Sequence, residues 1–238
     1  MYNEKKGGMN MKIYYEVVGV GYPIVCLHGN GENHHIFDDF VRTMMKDYQL
    51  ILIDSRYHGK SIHEGELSYE QFRDDVMSVV DELNISEYDV VGFSDGAIVS
   101  FLLALKDKRL KHIVSLGANT KPNMIKSIYR LTIYTTLFCL IPFCLYNKQA
   151  RLSFKLNKLM LKQPNLEYEM LKNIRIPVLV MAGQYDMIKE EDTLNIGQSL
   201  PYSVTKIIKG GNHFLLRDSF NETMKEIRLF LYACHRED

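Results

Sequence analysis

The chain has 238 residues, a length that can bury a large core within one domain or within one domain carrying an insertion. Its 29 Lys and Arg residues balance its 29 Asp and Glu residues, so overall charge gives no argument for a nucleic-acid partner or a strongly acidic one. The four cysteines form no Cys-x-x-Cys pair, which excludes the usual zinc and redox motifs and favours reduced thiols in the cytoplasm. The first twelve residues are polar without an apolar segment, so we expect no secretory signal.

Short β-branched runs alternate with longer amphipathic runs along most of the chain. In chain order, we predict strands at 12–18, 24–27, 50–54, 89–92, 112–116, 178–182 and 204–208, and helices at 36–46, 69–83, 95–105 and 220–233. Continuous apolar strands separated by helices are typical of a parallel sheet that is covered on both faces. The sequence therefore predicts an α/β fold with a mostly parallel central sheet flanked by helices.

The clearest predicted helix covers 69–83. Its apolar residues, among them Phe72 and Val76, recur at three- and four-residue steps on one face. Ser68 precedes it and Gln71 follows three residues later, which predicts a capping box at its start.

The alternation of strands and helices breaks between residues 119 and 173, a segment with helical character and no convincing strand. We interpret 119–173 as a helical cap inserted into a core that comprises 1–118 and 174–238. From 121 to 162 the segment has eight Lys or Arg residues and no Asp or Glu. We favour a solvated basic face on a lid, with attraction to an anionic surface or substrate as the alternative. The apolar run 131–146 is short for a membrane-spanning helix, and contact of this run and these cations with a membrane surface is a further alternative.

The stretch Gly-Phe-Ser-Asp-Gly at 92–96 lies between a predicted strand and a predicted helix. A serine can sit on a strained strand-to-helix turn only where its neighbours at two-residue spacing are small, as Gly92 and Gly96 are. The free N–H groups at the start of the following helix favour a developing anion. The pattern predicts that Ser94 is a nucleophile; the alternative is a small residue in a sharp turn.

A nucleophilic serine needs a base, and the base needs an orienting acid. Among the eight histidines, His213 lies in a glycine-rich loop beyond the last predicted strand, whereas His235 lies in a frayed C-terminal end. Asp186 follows the strand 178–182, at the edge where open α/β sheets build their sites, although a turn or helix-cap role is the alternative. The chain order Ser94, Asp186, His213 predicts a catalytic triad.

An acyl-transfer site also needs donors for an oxyanion. Gly29 and Gly31 flank Asn30 in a His-Gly-Asn-Gly turn at the end of a predicted strand, where backbone N–H groups can face a developing alkoxide. We predict that the backbone N–H groups of Asn30 and Asp95 form the oxyanion hole. His28 is expected to order this loop.

These motifs together resemble the α/β-hydrolase superfamily. The matching stretches are LHGNG (27–31), DSRYHGKS (54–61), GFSDG (92–96), AGQYD (182–186) and GGNH (210–213). The sequence departs from the family pattern at Tyr57, where Gly is common, and we expect this change to affect a turn. It also departs at Phe93 and Asp95, which replace the commoner His and Met. The variant at the nucleophile is similar to that of some esterase and prodrug hydrolase relatives.

The resemblance implies a sheet of the eight-stranded type, in which the first strand could be missing because the N-terminus is short. It also implies a helical cap inserted after the sixth strand of the family. It implies no metal and no organic cofactor. It also implies acyl transfer, in which Ser94 attacks a carbonyl, His213 acts as base and Asp186 orients the imidazole.

We therefore predict a serine hydrolase that cleaves a small or medium carboxylic ester, with a thioester or amide as further candidates. C–C bond hydrolysis or acyl transfer to an alcohol on the same triad is the second hypothesis. A non-catalytic ligand-binding protein on the same scaffold is the third, since fold alone does not determine function. The expected partner is a small ester-like molecule in the cytoplasm, and the sequence does not indicate an oligomeric state.

Overall fold

A computed structural model describes residues 13–237 of the chain. The strands are β1 (Tyr15–Val18), β2 (Tyr22–Leu27), β3 (Tyr48–Ile53), β4 (Tyr88–Phe93), β5 (Leu110–Leu116), β6 (Val178–Gly183) and β7 (Ser203–Ile208). They form one sheet in the order β1-β3-β2-β4-β5-β6-β7, in which β1 is antiparallel to β3 and the other pairs are parallel. The predicted mostly parallel sheet is therefore confirmed. Lys12, the first residue of the first predicted strand, lies outside the described residues.

The helices connect and cover these strands. They are α1 (Asp38–Met44), α2 (Tyr69–Glu82), α3 (Asp95–Ala104), α4 (Ser127–Leu140), α5 (Lys148–Met160), α6 (Tyr168–Leu171), α7 (Glu190–Ser199), α8 (Leu215–Asp218) and α9 (Phe220–Glu237). Short 3-10 helices cover His34–Phe37, Pro122–Met124 and Ile141–Leu145. The helix predicted at 36–46 thus begins as a 3-10 turn and ends earlier than expected.

Two apolar layers cover the two faces of the sheet. Val25 and Val90 pack with α2 and α3 in one buried cluster. Cys26 and Val91, the next residues along the same strands, pack with α1 and α9 in the other cluster. Because successive side chains of a strand point to opposite faces, continuous apolar strands are what a sheet covered on both faces requires.

The start of α2 only half matches the predicted capping box. Ser68 Oγ accepts a hydrogen bond from the Gln71 backbone N–H at 3.2 Å, so the predicted N-cap is present. The Gln71 side chain donates instead to Asp75 Oδ1 at 3.3 Å. Asp75 is held there by Arg56, whose Nε and Nη2 lie 2.8 and 2.6 Å from its two carboxylate oxygens. The buried Asp75 carboxylate, one helical turn ahead, therefore competes with the Ser68 backbone N–H for the Gln71 side chain.

Between β5 and β6 the chain leaves the sheet and forms α4, α5 and α6 over its carboxyl edge. Among the residues of α4, Ile133 alone is buried. It packs against Ile125 and Ile188, with the partly buried Leu137 and Met160 beside them. This segment coincides with the stretch in which the sequence shows no alternation of strands and helices.

The opposite, amino-terminal end of β4 and β5 has a buried charge cluster. Asp89 lies 2.8 Å from His112 Nδ1 and 2.8 Å from His235 Nε2. The expectation of a frayed end at His235 is wrong, because α9 continues through it and the histidine is paired with Asp89. Burial disfavours the charged imidazole of His112, but the hydrogen bonds and negative charges of Asp89 and Cys234 together outweigh burial and raise the pKa of His112 to about 10.

Candidate active site

Ser94 occupies the turn between β4 and α3. Its backbone has φ +52° and ψ −114°, a region that non-glycine residues rarely adopt. The Ser94 N–H donates to the Leu116 carbonyl oxygen at 2.8 Å, and the Ser94 carbonyl oxygen accepts from the N–H of Ala97 at 2.9 Å. These bonds to the neighbouring strand and to the next helical turn hold the serine in the strained conformation.

The glycines around Ser94 permit this turn because the backbone passes very close to itself. A Cβ on Gly92 would lie 2.4 Å from the carbonyl oxygen of Gly96, and a Cβ on Gly96 would lie 2.1 Å from that of Leu27. Gly29 in the preceding loop lies directly against Ser94, since a Cβ there would be 3.0 Å from the serine Cβ. The spacing of small residues in the sequence is thus explained by sterics.

The structure brings Ser94, His213 and Asp186 together. His213 Nε2 lies 3.0 Å from Ser94 Oγ, and His213 Nδ1 lies 2.7 Å from Asp186 Oδ1. Asp186 follows β6 and accepts a second hydrogen bond from the Ile188 N–H at 2.8 Å. All these groups lie beyond the carboxyl ends of parallel strands, as open α/β sheets require.

Burial strengthens the electrostatic interactions among Ser94, His213 and Asp186. Asp186 is 1% exposed and His213 is 7% exposed, so their interaction is little screened by water. The second carboxylate oxygen of Asp186, Oδ2, is buried without a hydrogen-bond partner among residues 13–237. With Nδ1–H donated to Asp186, the other ring nitrogen of His213 is left as an acceptor facing the serine hydroxyl.

Gly117 makes room for the histidine, and the sequence analysis missed it. It follows β5 with φ +66°, and a Cβ there would lie 2.9 Å from His213 Cε1. Its N–H donates to the Met181 carbonyl oxygen at 2.8 Å, which fixes the turn. A glycine directly after a predicted strand is the only signal that could have identified it.

The Asp95 carboxylate joins three parts of the site. It accepts from the Tyr69 hydroxyl at 2.8 Å and from Asn30 Nδ2 at 3.2 Å. Asn30 Nδ2 also lies 3.3 Å from the Leu156 carbonyl oxygen in the cap. Burial raises the pKa of Asp95 to about 6. Tyr69 is a functional candidate that the sequence analysis missed, because its position reads only as an apolar helix start.

The loop that follows β2 is held by two buried histidines. His28 Nε2 accepts from the Ser55 N–H at 2.9 Å, and His58 Nε2 accepts from the Gly31 N–H at 3.0 Å. Burial lowers the pKa of His28 to about 3, so it stays neutral and acts as an acceptor. The Gly31 N–H is therefore directed away from a substrate. The contact of His28 with Ser55 agrees with the loop-ordering role expected for His28.

Glu32, in the same loop, is a further residue that the sequence analysis missed. Burial raises the pKa of its carboxyl group to about 7, although the Gly29 backbone and the nearby His213 lower it. Its Oε2 has no hydrogen-bond partner within the described part of the chain. A titratable group with a shifted pKa beside the histidine is typical of functional sites.

A small cavity covers Ser94 and is shared by the core and the cap. Its volume of about 10 Å³ leaves room for about one water molecule, far below the usual range for drug-sized ligands. It is lined by Tyr69, Ser94, Asp95, Asn119, Ile125, Met160, Gln163, Met187 and Ile188. Ile125, Met160 and Gln163 belong to the cap, so the cap forms part of the wall around the serine.

Within residues 13–237, one group of side chains could hold a metal ion by its geometry, and it lies away from this cavity. The ligand atoms of Asp89, His112 and His235 lie within 4.8 Å of one another. The two histidines already bond to the two oxygens of Asp89, which explains the cluster as an ion-pair network. It lies at the opposite end of β4 from Ser94 and takes no part in the site above.

Comparisons with known proteins agree with the fold. The α/β hydrolase fold family model matches residues 22–133. An sn-1-specific diacylglycerol lipase of Xenopus laevis is 26% identical over 113 residues, covering 46% of this chain and 36% of the lipase. A Haemophilus influenzae protein named as an esterase or lipase is 20% identical, with 87% of this chain and 82% of that protein covered.

Solved structures of similar fold cover nearly the whole chain. An esterase from Exiguobacterium antarcticum superimposes with a TM-score of 0.78 at 17% identity, covering 92% of this chain and 95% of the esterase. A bromoperoxidase from Bacillus anthracis superimposes with a TM-score of 0.77 at 22% identity, covering 92% of this chain and 95% of that one. The chain therefore has the α/β-hydrolase fold that these proteins share.

Proposed function

We propose that this protein is a serine hydrolase that cleaves a small or medium carboxylic ester through an acyl-enzyme on Ser94. The observation that carries the proposal is the chain of contacts from Ser94 Oγ to His213 Nε2 at 3.0 Å and from His213 Nδ1 to Asp186 at 2.7 Å. A nucleophile, a base and an orienting acid in hydrogen-bond reach of one another are what acyl transfer needs. The esterases and lipases among the relatives support the same class of reaction.

In the first half-reaction, Ser94 Oγ forms a bond to the ester carbonyl carbon while its proton passes to His213 Nε2. The carbonyl electron pair moves onto oxygen, and the backbone N–H groups of Asn30 and Asp95 are proposed to stabilise that oxyanion. Asp95 is the first residue of α3, so its N–H has no acceptor within the helix. The ester C–O bond then breaks, and the leaving alkoxide takes the proton from His213.

In the second half-reaction, water replaces the alcohol. His213 takes a proton from water as the new C–O bond forms, and returns it to Ser94 Oγ as the acyl group leaves. Asp186 stabilises the imidazolium in both steps because its carboxylate is buried beside it. The apolar wall of Ile125, Met160 and Ile188 favours an acyl group over a charged one in the cavity.

Labelling with a fluorophosphonate probe tests the nucleophile. We expect the wild-type protein and Ser100→Ala to be labelled, and Ser94→Ala to be unlabelled. Ser100 is the matched control because it lies in α3, the helix that follows Ser94, where its hydroxyl donates to the Ala97 carbonyl oxygen at 2.6 Å. Equal labelling of Ser94→Ala and wild type would contradict the proposal.

Substrate class is tested with p-nitrophenyl esters of graded acyl length, run beside a thioester and aryl amides. We expect turnover of the esters with an optimum at short or medium acyl chains, because the cavity is small. Labelling at Ser94 without turnover of any ester would overturn the ester assignment and favour C–C bond hydrolysis.

A further inference from the structure

One surface of the cap is unusually apolar for an exposed helix. We call it the apolar cap face and define it by the exposed residues Ile128, Tyr129, Leu131, Tyr134, Phe138, Ile141, Phe143, Leu145 and Tyr146. They are nine of the 17 large hydrophobic residues that are exposed in the described part of the chain. Phe138 is 76% exposed and Leu145 is 87% exposed. Large exposed apolar surfaces of this kind mark interaction sites.

The helical run under this face is long and apolar enough, by length and composition, to cross a membrane. It covers Ser127–Leu145 with a mean hydropathy of 1.6, and 6% of it is buried. Its inner side, however, is anchored to the protein through Ile133 and Leu137. The α-helix also ends at Leu140, and a 3-10 turn containing Pro142 follows. A helix fixed along one side by the core is suited to lie on a bilayer.

A cationic groove adjoins the apolar cap face. Lys148, Arg151 and Lys155 line it together with His63. The neighbouring hollow contains Lys148 and His63 again and reaches Tyr146 of the apolar cap face. No carboxylate lines either part, and residues 121–162 contain eight Lys or Arg and no Asp or Glu. Exposed apolar side chains beside clustered cations are the combination that anionic lipid surfaces attract.

We propose that the apolar cap face and the cationic groove dock the protein on the surface of an anionic lipid bilayer, with α4 lying in the plane of the interface. The apolar side chains enter the boundary between headgroups and acyl chains, and Lys148, Arg151 and Lys155 contact lipid phosphates. The charge pattern favours a bilayer over a second copy of the chain. A two-fold contact through this face would bring two cationic regions together without acidic partners within it.

Docking would also bring lipid close to the active site. Ile133, on the inner side of α4, packs against Ile125 and Ile188, and both of these line the cavity over Ser94. A shift of α4 on the bilayer is therefore transmitted to the cavity wall. This step rests on the proposed function and adds that the ester substrate is lipid-soluble.

Co-sedimentation with vesicles tests the docking. We use phosphatidylcholine vesicles with and without phosphatidylglycerol, and compare wild type with Phe138→Asp, Lys148→Glu and Leu229→Asp. Leu229 is the matched control, because it is 56% exposed on α9 and lies outside the cap. We expect strong binding only with phosphatidylglycerol, reduced about tenfold or more by Phe138→Asp and several-fold by Lys148→Glu. Leu229→Asp should bind as wild type does.

Three outcomes would overturn the proposal: no binding to either vesicle, equal binding to both, or equal loss with Leu229→Asp and Phe138→Asp. A concentration-dependent dimer that Phe138→Asp dissociates, without vesicle binding, would instead identify a contact between copies. Binding is also measured with Ser94→Ala, which should match wild type. Hydrolysis of a soluble p-nitrophenyl ester should be unchanged in Phe138→Asp. Failure of docking and failure of the proposed function are thereby distinguished.

Discussion

Two regions of the molecule differ in how their side chains are buried and hydrogen-bonded. One is the carboxyl edge of the sheet around Ser94, which we call the rim, and the other is the apolar cap face. At the rim, Asp186, His213 and Asp95 are buried, and each has defined hydrogen-bond partners. On the apolar cap face, large side chains such as Phe138 are exposed. The catalysis proposed at the rim therefore depends on atomic geometry, whereas the docking proposed at the cap depends on apolar area and charge. Substitutions in the two regions should fail in different ways.

The largest expected effect tests geometry at the rim. Asp186→Asn keeps the shape of the side chain but removes the charge and alters the tautomer of His213, so we expect kcat to fall by about 10,000-fold. Steady-state kinetics on a p-nitrophenyl ester measure it. Asp192→Asn is the control, because this buried carboxylate bonds to Thr120 and Tyr168 and not to the histidine. A comparable loss of kcat in both variants would remove the special role of Asp186.

The next effect separates the two faces of α4. Ile133→Ala creates a cavity in the cluster under the cap and should lower the free energy of cap opening by about 2 to 4 kcal/mol. Phe138→Ala, on the exposed face, should change it by less than about 0.5 kcal/mol. Amide hydrogen exchange over α4 and α5 measures both. If Phe138→Ala loosens the cap as much as Ile133→Ala does, the outer face contributes to folding and the contrast fails.

A third prediction concerns the end of the sheet opposite the rim. The pKa of His112 is raised to about 10 in the folded protein, above its usual value. Its stabilising contribution is therefore complete below about pH 6.5 and is lost as pH rises through about 10. We expect His112→Gln to lower the free energy of unfolding by about 2 kcal/mol near neutral pH, and the difference from wild type to vanish at high pH. Urea unfolding at several pH values measures it, and a difference that does not depend on pH would contradict it.

The smallest expected effect concerns Asp95, which links the rim to the cap. Its pKa is raised to about 6, so the folded protein binds more protons than the unfolded chain between about pH 4 and 6, and stability falls as pH rises through that window. Asp95→Asn removes this cost while leaving an acceptor for the Tyr69 hydroxyl. We expect a gain of about 1 to 2 kcal/mol over wild type above pH 6 and no gain below about pH 4. Thermal unfolding measures it; a gain that is equal at both pH values would exclude titration of Asp95 as the cause.

The local patterns predicted the strands and α1, α2, α3 and α9, because strand and helix periods are imposed by burial, but they did not predict α7 or α8. The alternation near Val25 and Val90 and the apolar face of α2 follow from which side chains leave water. Where prediction failed, a distant group had intervened. Gln71 turns to a carboxylate that Arg56 holds, and His235 is paired with Asp89 from another strand. Sequence spacing contains no information about such partners.

Tyr57 is another position at which a distant contact, and not the local sequence, determines the structure. Gly is common at this position of the family pattern, and the structure gives Tyr57 a φ of +69°, which glycine adopts without cost. The tyrosine hydroxyl donates to the Gly65 carbonyl oxygen at 2.7 Å. A contact made at the far end of a large side chain stabilises a backbone that the residue itself disfavours.

By itself, the sequence determined the α/β fold and singled out Ser94, Asp186 and His213 as candidates, because small residues at a strained turn and a fixed order of polar groups after strands leave few alternatives. Only the tertiary structure decided that these three groups meet within 3.0 Å, and that Asp95 joins Tyr69 and Asn30. It also decided that the apolar run of the cap faces outward. An apolar helix has the same composition whether it is buried or exposed, and its neighbours alone determine which face meets the core.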